Sequence, residues 1–307
     1  MKLCVILPVY NAEKYLEDCL NSVFSQTFRD FLIIAIDDKS TDNSLKILQK
    51  LAKQDERLKV FTLDENQGEA GAPYIATQLA YQYNPEYIAR MDADDICLET
   101  RFEKQIAYLE QHQSVDILGT NLVTLSQNGK SEVIGVPLID DIIKAHLMLA
   151  ANNIFNATTI WRTRSIRPLN LPRYQLATAS DYATWVDCAL NNKKFANLSE
   201  PLYVYRQHNN NISKKLDIAK HSVQVTMDKW NNFVFPELEN DEKELLSRVF
   251  NPFNRSFQIT NSEWIKLCAI PKKMRVDISY FGENRLVMRS LIEKRIDDLS
   301  KQINGII

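Results

Sequence analysis

The stretch YIARMDADDI, residues 87–96, joins a short apolar run to three acidic residues, Asp92, Asp94 and Asp95, within four positions. Two carboxylates about 5 Å apart repel each other by roughly 3 kcal/mol at an effective dielectric constant near 20. The apolar run is typical of a buried strand, where water relieves this repulsion less than it would in a surface loop. The pattern therefore predicts a positive partner that is not part of the printed sequence.

Strands and helices alternate through the first hundred residues. Four apolar runs of strand length are separated by segments with apolar residues at helical spacing, which gives β-α-β-α-β-α-β. Strands that are apolar throughout and joined by helices predict an α/β fold with a mostly parallel central sheet covered on both faces. The four strands are predicted at residues 3–8, 31–36, 58–63 and 86–91.

Acidic residues follow three of these strands. Asp37 and Asp38 come after the second strand and Asp64 after the third, and the cluster quoted above follows the fourth. Ligands of open α/β sheets bind outside the carboxyl ends of the strands. The chain has seven glycines and neither GxGxxG nor GxxxxGK[ST], so the glycine loops that hold phosphates are absent. An acidic edge without such a loop suits a divalent cation that arrives with the phosphates of its substrate.

Composition narrows the class of protein. The chain has 307 residues and a formal net charge of -2, which does not favour nucleic acid as the main partner. Its five cysteines form no CxxC pair, so we expect reduced thiols and neither a disulfide framework nor a zinc site. The N-terminus is not typical of a signal peptide, and no apolar run approaches 18 residues. We expect a cytoplasmic protein that at most lies on the inner face of the membrane.

Five sequence blocks, in this order, resemble the bacterial family 2 glycosyltransferases of the GT-A fold, over about residues 2–213. Each block alone is weak evidence, because a DxD sequence is common by chance, but five in order are specific. The blocks are VILPVYNAEKYLEDCLNSVFSQTF (5–28), IDDKSTDNS (36–44), YIARMDADDI with RFEKQ (87–96 and 101–105), SDYATW (180–185) and PLYVYRQH (201–208).

The resemblance implies an inverting enzyme that takes a sugar from a nucleotide-diphosphate donor, by family habit a UDP-sugar, with Mn²⁺ or Mg²⁺. It further implies a glycan or lipid-linked acceptor in surface polysaccharide or lipopolysaccharide synthesis. Carried over by position, the nucleotide contacts are Pro8, Tyr10, Asp38, Asp92, Ala93 and Arg206, the metal contacts are Asp92, Asp94 and His208, and the general base is Asp181.

The chemistry of the residues agrees with these roles. Oxygen ligands suit Mg²⁺ and Mn²⁺, and inversion needs one displacement, so a single carboxylate that removes the acceptor proton is sufficient. Other interpretations stay open: the acids after the fourth strand as a solvated turn, Asp37-Asp38 as a cap of the helix that follows them, and Asp181 as a charge favoured by a helix dipole. The chain departs from the family pattern at Lys39, Pro73-Tyr74, Asn156-Ala157 and Ser180; these changes leave the chemistry in place and affect the expected donor contacts.

Two rival functions remain. A sugar nucleotidyltransferase needs a glycine- and arginine-rich loop after the first strand, and LPVYNAEKY has neither. A sugar-nucleotide- or glycan-binding relative without turnover is the second rival.

The organisation of the chain is predicted as a catalytic domain over residues 1–215 and a helical extension over 216–307. The basic residues within 266–301 are compatible with an anionic membrane surface, and equally with packing on the catalytic domain or on a second subunit. Residues 209–213 are a candidate lid.

Overall fold

One curled sheet forms the centre of the computed structural model, which describes residues 1–147, 149, 153–171, 179–208, 216–254, 258–275 and 284–303. Within these residues the sheet has nine strands in the order β3-β2-β1-β4-β8-β6-β9-β5, with β7 beside β6. The strands are Leu3–Val9 (β1), Phe31–Asp37 (β2), Leu58–Thr62 (β3), Tyr87–Arg90 (β4), Ile96–Cys97 (β5), Ile117–Ser126 (β6), Ser131–Ile134 (β7), Ile160–Arg162 (β8) and Phe195–Gln207 (β9).

The first four strands are parallel, as the alternation of elements predicts. Successive residues of β1 face opposite sides: Val5 belongs to the apolar core beneath α1 and α2, and Ile6 to the core beneath α3. Both faces are covered, which explains why these strands are apolar throughout. The helices of this half are Leu16–Phe24 (α1), Ser44–Ala52 (α2), Gly68–Gln82 (α3) and Arg101–Gln111 (α4).

The second half of the sheet is mixed and turns back on the first. β8 is antiparallel to β4 and β6, whereas β9 runs parallel to β6. The short β5, which the sequence does not predict, pairs antiparallel with β9 and places Ile96 opposite Val204. The end of β9 therefore lies against the acidic turn after β4. Three further helices in this half are Asp140–Leu147 (α5), Thr163–Ile166 (α6) and Ser180–Leu190 (α7).

Helices beyond residue 215 pack on the α7 side of the sheet. Val223, Met227 and Trp230 are buried in the same apolar cluster as Trp185 of α7. These helices are Leu216–Val234 (α8), Asn240–Phe250 (α9), Asn261–Lys273 (α10) and Asn284–Ile303 (α11). The boundary predicted at residue 215 and the candidate lid at 209–213 lie outside the described residues, so both stay predictions.

The basic C-terminal segment faces the protein in part. Met288 and Ile292 of α11 are buried, and the buried Arg285 donates to the Val234 carbonyl over 2.6 Å. Arg295 donates to the Val249 carbonyl over 3.2 Å. In the part of the chain that the structure describes, we find no helix with the length and apolar character that crossing a bilayer requires.

Candidate active site

The carboxyl ends of β1, β2 and β4 meet at one edge of the sheet. Val9 lies opposite Asp37, and Ile6 lies opposite Arg90. The backbone N–H of Asp38 donates to the Val9 carbonyl over 2.8 Å. The acids that follow β2 and β4 are thus gathered where open α/β sheets bind their ligands.

Asp38 is tied to the start of α3. Its carboxylate oxygens accept the backbone N–H groups of Gln67 and Gly68, over 2.6 and 2.9 Å. Burial raises the pKa of Asp38, and these two hydrogen bonds lower it. The capping role is therefore present, although at α3 and not at the helix that directly follows. Tyr10, at the end of β1, is 53% exposed, and Pro8 lies within β1.

Two acids after β4 have a partner within the chain. The Arg90 guanidinium contacts Asp92 over 2.8 Å, and Nε2 of His208 lies 2.8 Å from Oδ2 of Asp94. Burial raises the pKa of Asp92, and Arg90 is the main opposing influence. The acidic sequence predicts a positive partner from outside the chain. Part of that positive charge instead comes from Arg90, two positions before Asp92. The small, buried Ala93 separates the two acids.

Asp95 fastens the end of β9 to the acidic turn. Its fully buried carboxylate accepts the backbone N–H of Arg206 over 2.8 Å, and the nearby Tyr203 hydroxyl lowers its pKa. Burial and the neighbouring acids raise the pKa of Asp95 well above its ordinary value. This hydrogen bond places Arg206 and His208 beside the acids of the turn, which are 111 or more positions away in sequence.

Tyr15, just before α1, contacts two basic residues: Arg206 in β9 and His208, which directly follows β9. The His208 ring stacks on the Tyr15 ring at 5.0 Å between centroids and 18° between planes. The Arg206 guanidinium lies 5.4 Å from the same ring and also contacts Asp18 over 3.1 Å. Three sequence-predicted residues, Asp94, Arg206 and His208, are thus held in one cluster.

Asp181 opens α7 and lines a pocket between α3 and α7, which we call the α3–α7 pocket. Including its mouth, the pocket has an empty volume of about 450 Å³. One carboxylate oxygen of Asp181 accepts the N–H of Tyr182 over 2.7 Å. Burial raises the pKa of Asp181, which Arg90 opposes. Its lining includes Glu69, Pro73, Arg90, Trp161, Asp181 and Trp185.

Glu69 approaches the turn before Asp181 from α3. Its carboxylate lies near enough to the backbone N–H of Ala179 for that group to lower its pKa, and Ala179 has a left-handed φ of 55° without being glycine. Such a residue costs about 1–2 kcal/mol relative to the right-handed region. Many family members have a glutamate directly before the base, where this chain has Ser180. In this chain the carboxylate of Glu69, which belongs to α3, approaches the same turn.

Two other departures from the family pattern have visible consequences. Lys39 has a φ of 62°, so the turn after β2 keeps a left-handed residue although glycine is absent. Pro73 lies inside α3 and lines the α3–α7 pocket together with Asn156. The apolar ring of Pro73 therefore occupies a wall where the family pattern expects a cation.

Sequence comparison identifies the family. A model described as Glycosyl transferase family 2 matches residues 4–141. The chain is 33% identical over 220 residues to an uncharacterized glycosyltransferase of Haemophilus influenzae, covering 68% of this chain and 66% of that protein, just under two thirds of its length. It is 30% identical over 217 residues to the O-antigen biosynthesis glycosyltransferase WbnJ of Escherichia coli, covering 69% of this chain and 82% of WbnJ. The chain belongs to glycosyltransferase family 2.

Solved structures show that this glycosyltransferase has a GT-A-like fold. Staphylococcus aureus TarS 1-349 in complex with UDP-GlcNAc aligns with a TM-score of 0.66 at 21% identity, covering 99% of this chain and 92% of TarS. The mannosyltransferase PcManGT of Pyrobaculum calidifontis, in complex with GDP-Man and Mn²⁺, aligns with a TM-score of 0.54 at 12% identity, covering 98% and 87%. The predicted fold class and family are confirmed.

The donor atoms of this glycosyltransferase fit part of a divalent-cation site. Among the described residues no group of three or more His, Cys, Asp or Glu side chains is arranged to hold a metal ion by itself. Asp94 Oδ2 and His208 Nε2 are 2.8 Å apart, close to the roughly 3.0 Å between neighbouring octahedral ligands at about 2.1 Å. Mn²⁺ and Mg²⁺ commonly fill their remaining positions with water and substrate phosphates, so the pair fits such an ion.

Sequence reasoning missed three residues of this glycosyltransferase's site: Arg90, Glu69 and Tyr15. Arg90 carried a signal, because a charged residue in a short buried strand needs a partner, and Asp92 lies on the same side two positions later. Glu69 and Tyr15 carried none, since their partners come from elements more than a hundred positions away.

Proposed function

We propose that this glycosyltransferase is a metal-dependent inverting enzyme that moves a sugar from a nucleotide-diphosphate donor, preferentially a UDP-sugar, to a glycan or lipid-linked acceptor. The relatives support a place in bacterial surface polysaccharide synthesis, since WbnJ is named for O-antigen biosynthesis. TarS bound to UDP-GlcNAc and PcManGT bound to GDP-Man support a sugar-nucleotide donor. The UDP preference follows the habit of the family.

One observation carries the proposal: Arg90 joins the acidic turn to the pocket of Asp181. Its guanidinium contacts Asp92 and also lines the α3–α7 pocket with Asp181. A transferase that inverts in one displacement needs the group that stabilises the leaving diphosphate and the group that removes the acceptor proton on neighbouring walls of one site. The acidic turn and Asp181 meet this requirement.

At the donor end, Asp94 and His208 would hold Mn²⁺ or Mg²⁺, with Asp92 beside them. The ion would neutralise charge on the leaving diphosphate. Tyr10 offers an exposed ring for the base, next to the buried Asp38, while Pro8 and Ala93 would supply backbone contacts. Arg206 brings a positive charge to the same cluster.

At the acceptor end, Asp181 would take the proton of the attacking hydroxyl. Its hydrogen bond to the Tyr182 N–H fixes the carboxylate, and burial makes it a stronger base by raising its pKa. A positioned general base contributes about 10² to 10⁴ in rate. This role belongs to the transfer step, so it is separable from donor binding.

The test measures binding and transfer in the same variants. Asp181→Asn should lower sugar transfer by at least about 100-fold and leave UDP binding with Mn²⁺ within about twofold. Asp94→Ala should lose both transfer and Mn²⁺-dependent UDP binding. Asp297→Asn, an exposed acid of α11, is the control and should change neither.

Turnover separates the proposal from its rival. A non-catalytic sugar-nucleotide-binding protein would bind UDP-sugars and leave them intact with every acceptor fraction from a bacterial envelope. If Asp181→Asn transferred sugar at the wild-type rate, Asp181 would not be the general base. The assignment as a glycosyltransferase would be unaffected.

A further inference from the structure

The backbone of Asp92, where the acidic turn begins, is held by side chains from two other elements. Its N–H donates to the Tyr203 hydroxyl of β9 over 3.3 Å, and its carbonyl accepts the Cys19 thiol of α1 over 3.4 Å. The same carbonyl accepts the Asp95 N–H over 3.4 Å, which closes the turn. Because Asp92 lies past the end of β4, these side chains supply the backbone partners that a neighbouring strand would supply inside the sheet.

Tyr203 lies near both ends of this turn. Its hydroxyl accepts the Asp92 N–H, and it is also close enough to the Asp95 carboxylate to lower the pKa of Asp95. A tyrosine hydroxyl can accept one hydrogen bond while it donates another, so one oxygen atom can serve both residues. Asp94, a candidate metal ligand, lies between them in the sequence. The segment that carries Asp94 is therefore supported by Tyr203 on both sides.

The Tyr203 side chain is itself fixed by its surroundings. It is fully buried, and the residue lies opposite Cys97 where β5 and β9 pair. The guanidinium of the fully buried Arg101 lies 5.2 Å from the centroid of the Tyr203 ring. The same guanidinium donates to the Arg90 carbonyl over 3.0 Å. Contacts to the ring and to the end of β4 thus fix the hydroxyl relative to the strand from which the turn leaves.

We propose that Tyr203 is a positioning residue that fixes the acidic turn before any cation arrives, so that Asp92 and Asp94 need little rearrangement to bind Mn²⁺ or Mg²⁺. The inference rests on the proposed function, because it concerns the metal ligands assigned there. The carboxylates of the turn repel one another, and without outside support this repulsion favours opening of the turn when no ion is bound. Tyr203 opposes the opening through the backbone of Asp92 and through Asp95, so its contacts do not compete with the ion for Asp94.

The experiment uses Tyr203→Phe, which removes the hydroxyl and keeps the ring. The matched control is Tyr87→Phe, because Tyr87 is also buried and its hydroxyl accepts the Arg162 guanidinium over 2.9 Å. Tyr87 begins β4, so this hydroxyl lies at the end of the strand away from the acidic turn. A second variant, Cys19→Ala, removes the donor to the Asp92 carbonyl and tests the inference if Tyr203→Phe does not fold.

Two measurements separate positioning from general stability. Electron paramagnetic resonance gives the dissociation constant of Mn²⁺ in the presence of UDP, which should rise about tenfold in Tyr203→Phe and about threefold in Cys19→Ala. Mass spectrometry gives the amide hydrogen exchange of residues 91–97 in EDTA, which should become about tenfold faster in Tyr203→Phe because the turn opens more often. Tyr87→Phe should lower the melting temperature and leave both quantities within about twofold of the wild type.

The inference is wrong if Tyr203→Phe binds Mn²⁺ as tightly as the wild type, or if its turn exchanges no faster in EDTA. Equal losses in Tyr87→Phe would also overturn it, since any buried hydroxyl would then have the same effect. If Tyr203→Phe does not fold, wild-type values in Cys19→Ala contradict the inference. If the wild type binds no Mn²⁺ with UDP, the proposed function itself fails, and exchange in EDTA still decides whether Tyr203 holds the turn.

Discussion

At the scale of single residues, Tyr15 determines how the basic end of β9 is presented. It is remote in sequence from His208, yet the two rings stack at 5.0 Å. The stack limits the rotation of the imidazole, which points Nε2 at Asp94. Residues that orient a metal ligand typically change metal affinity by about 10- to 100-fold when they are altered.

We therefore expect Tyr15→Leu to weaken Mn²⁺ binding in the presence of UDP by about tenfold, and Tyr15→Phe to preserve it because the ring remains. Manganese titration followed by electron paramagnetic resonance measures this. Tyr108→Leu is the matched control, since Tyr108 stacks on His112 at 4.0 Å elsewhere in the molecule. Equal affinities in wild type and Tyr15→Leu would contradict the positioning role.

Glu69 lowers the free energy of unfolding as the pH rises, which is the opposite of the usual effect of an acid whose pKa is lowered by folding. Burial raises the pKa of Glu69 to about 7, with further increases from Asp181 and Asp92, against the ordinary 4.5. The folded chain thus retains a proton that the unfolded chain releases. The resulting contribution to the free energy of unfolding is complete below pH 4.5 and is lost as the pH rises through about 7.

We expect the melting temperature, measured with EDTA, to fall between pH 5.5 and pH 8, and to fall less in Glu69→Gln, which is neutral at every pH. Glu65→Gln, at an exposed position four residues earlier, should follow the wild type. The same dependence on pH in wild type and Glu69→Gln would show that Glu69 does not carry this effect.

At the scale of elements, the parallel pair β6 and β9 positions the site. β9 spans 13 residues and presents Arg206 at its far end, where the Asp95 carboxylate accepts the Arg206 N–H. Close packing near the start of this pair depends on Gly119 of β6, because a Cβ there would overlap the Asn197 side-chain oxygen and lie 3.0 Å from Ile154.

Gly119→Ala should consequently destabilise the protein by about 1–3 kcal/mol, the usual effect of overpacking. Urea unfolding followed by circular dichroism measures the change. Gly135→Ala is the control: its nearest contact would be 3.7 Å, so its effect should be small. Equal free energies of unfolding for Gly119→Ala and wild type would mean that Asn197 moves aside without penalty.

At the scale of the whole molecule, the C-terminal helices complete the core on the side of Asp181. Val223, Met227 and Trp230 of α8 share an apolar cluster with Trp185 and Val186 of α7. Since α7 carries Asp181, the extension supports the element that holds the candidate base. Apolar surface of α7 and α8 that is removed from water in this contact stabilises the fold by roughly 25 cal/mol per Å².

A chain ending at residue 215 should therefore lose its cooperative thermal transition or melt at a clearly lower temperature, and should bind a hydrophobic dye. Differential scanning calorimetry and dye fluorescence on both chains test this. A truncated chain that melts like the full chain, without dye binding, would show that residues 1–215 fold independently.

The sequence by itself determined the alternation of strands and helices, the parallel half of the sheet and its acidic edge. These features are local: apolar periodicity reports which faces are buried, and the carboxyl end of a parallel strand is defined by chain direction. Asp92 and Asp94 could be selected for the same reason, because they follow the end of a strand, whereas Asp181 was selected through its match to the family motif.

Only the tertiary structure decided which side chains meet at that edge. The approach of Glu69 to Ala179 and the stack of Tyr15 on His208 depend on how α7 and β9 return to the sheet. No local pattern encodes such contacts, since their energies depend on burial and on distances between residues that are far apart in sequence. The cluster that positions the candidate metal ligands and the pocket that faces Asp181 therefore emerge only when the chain is folded.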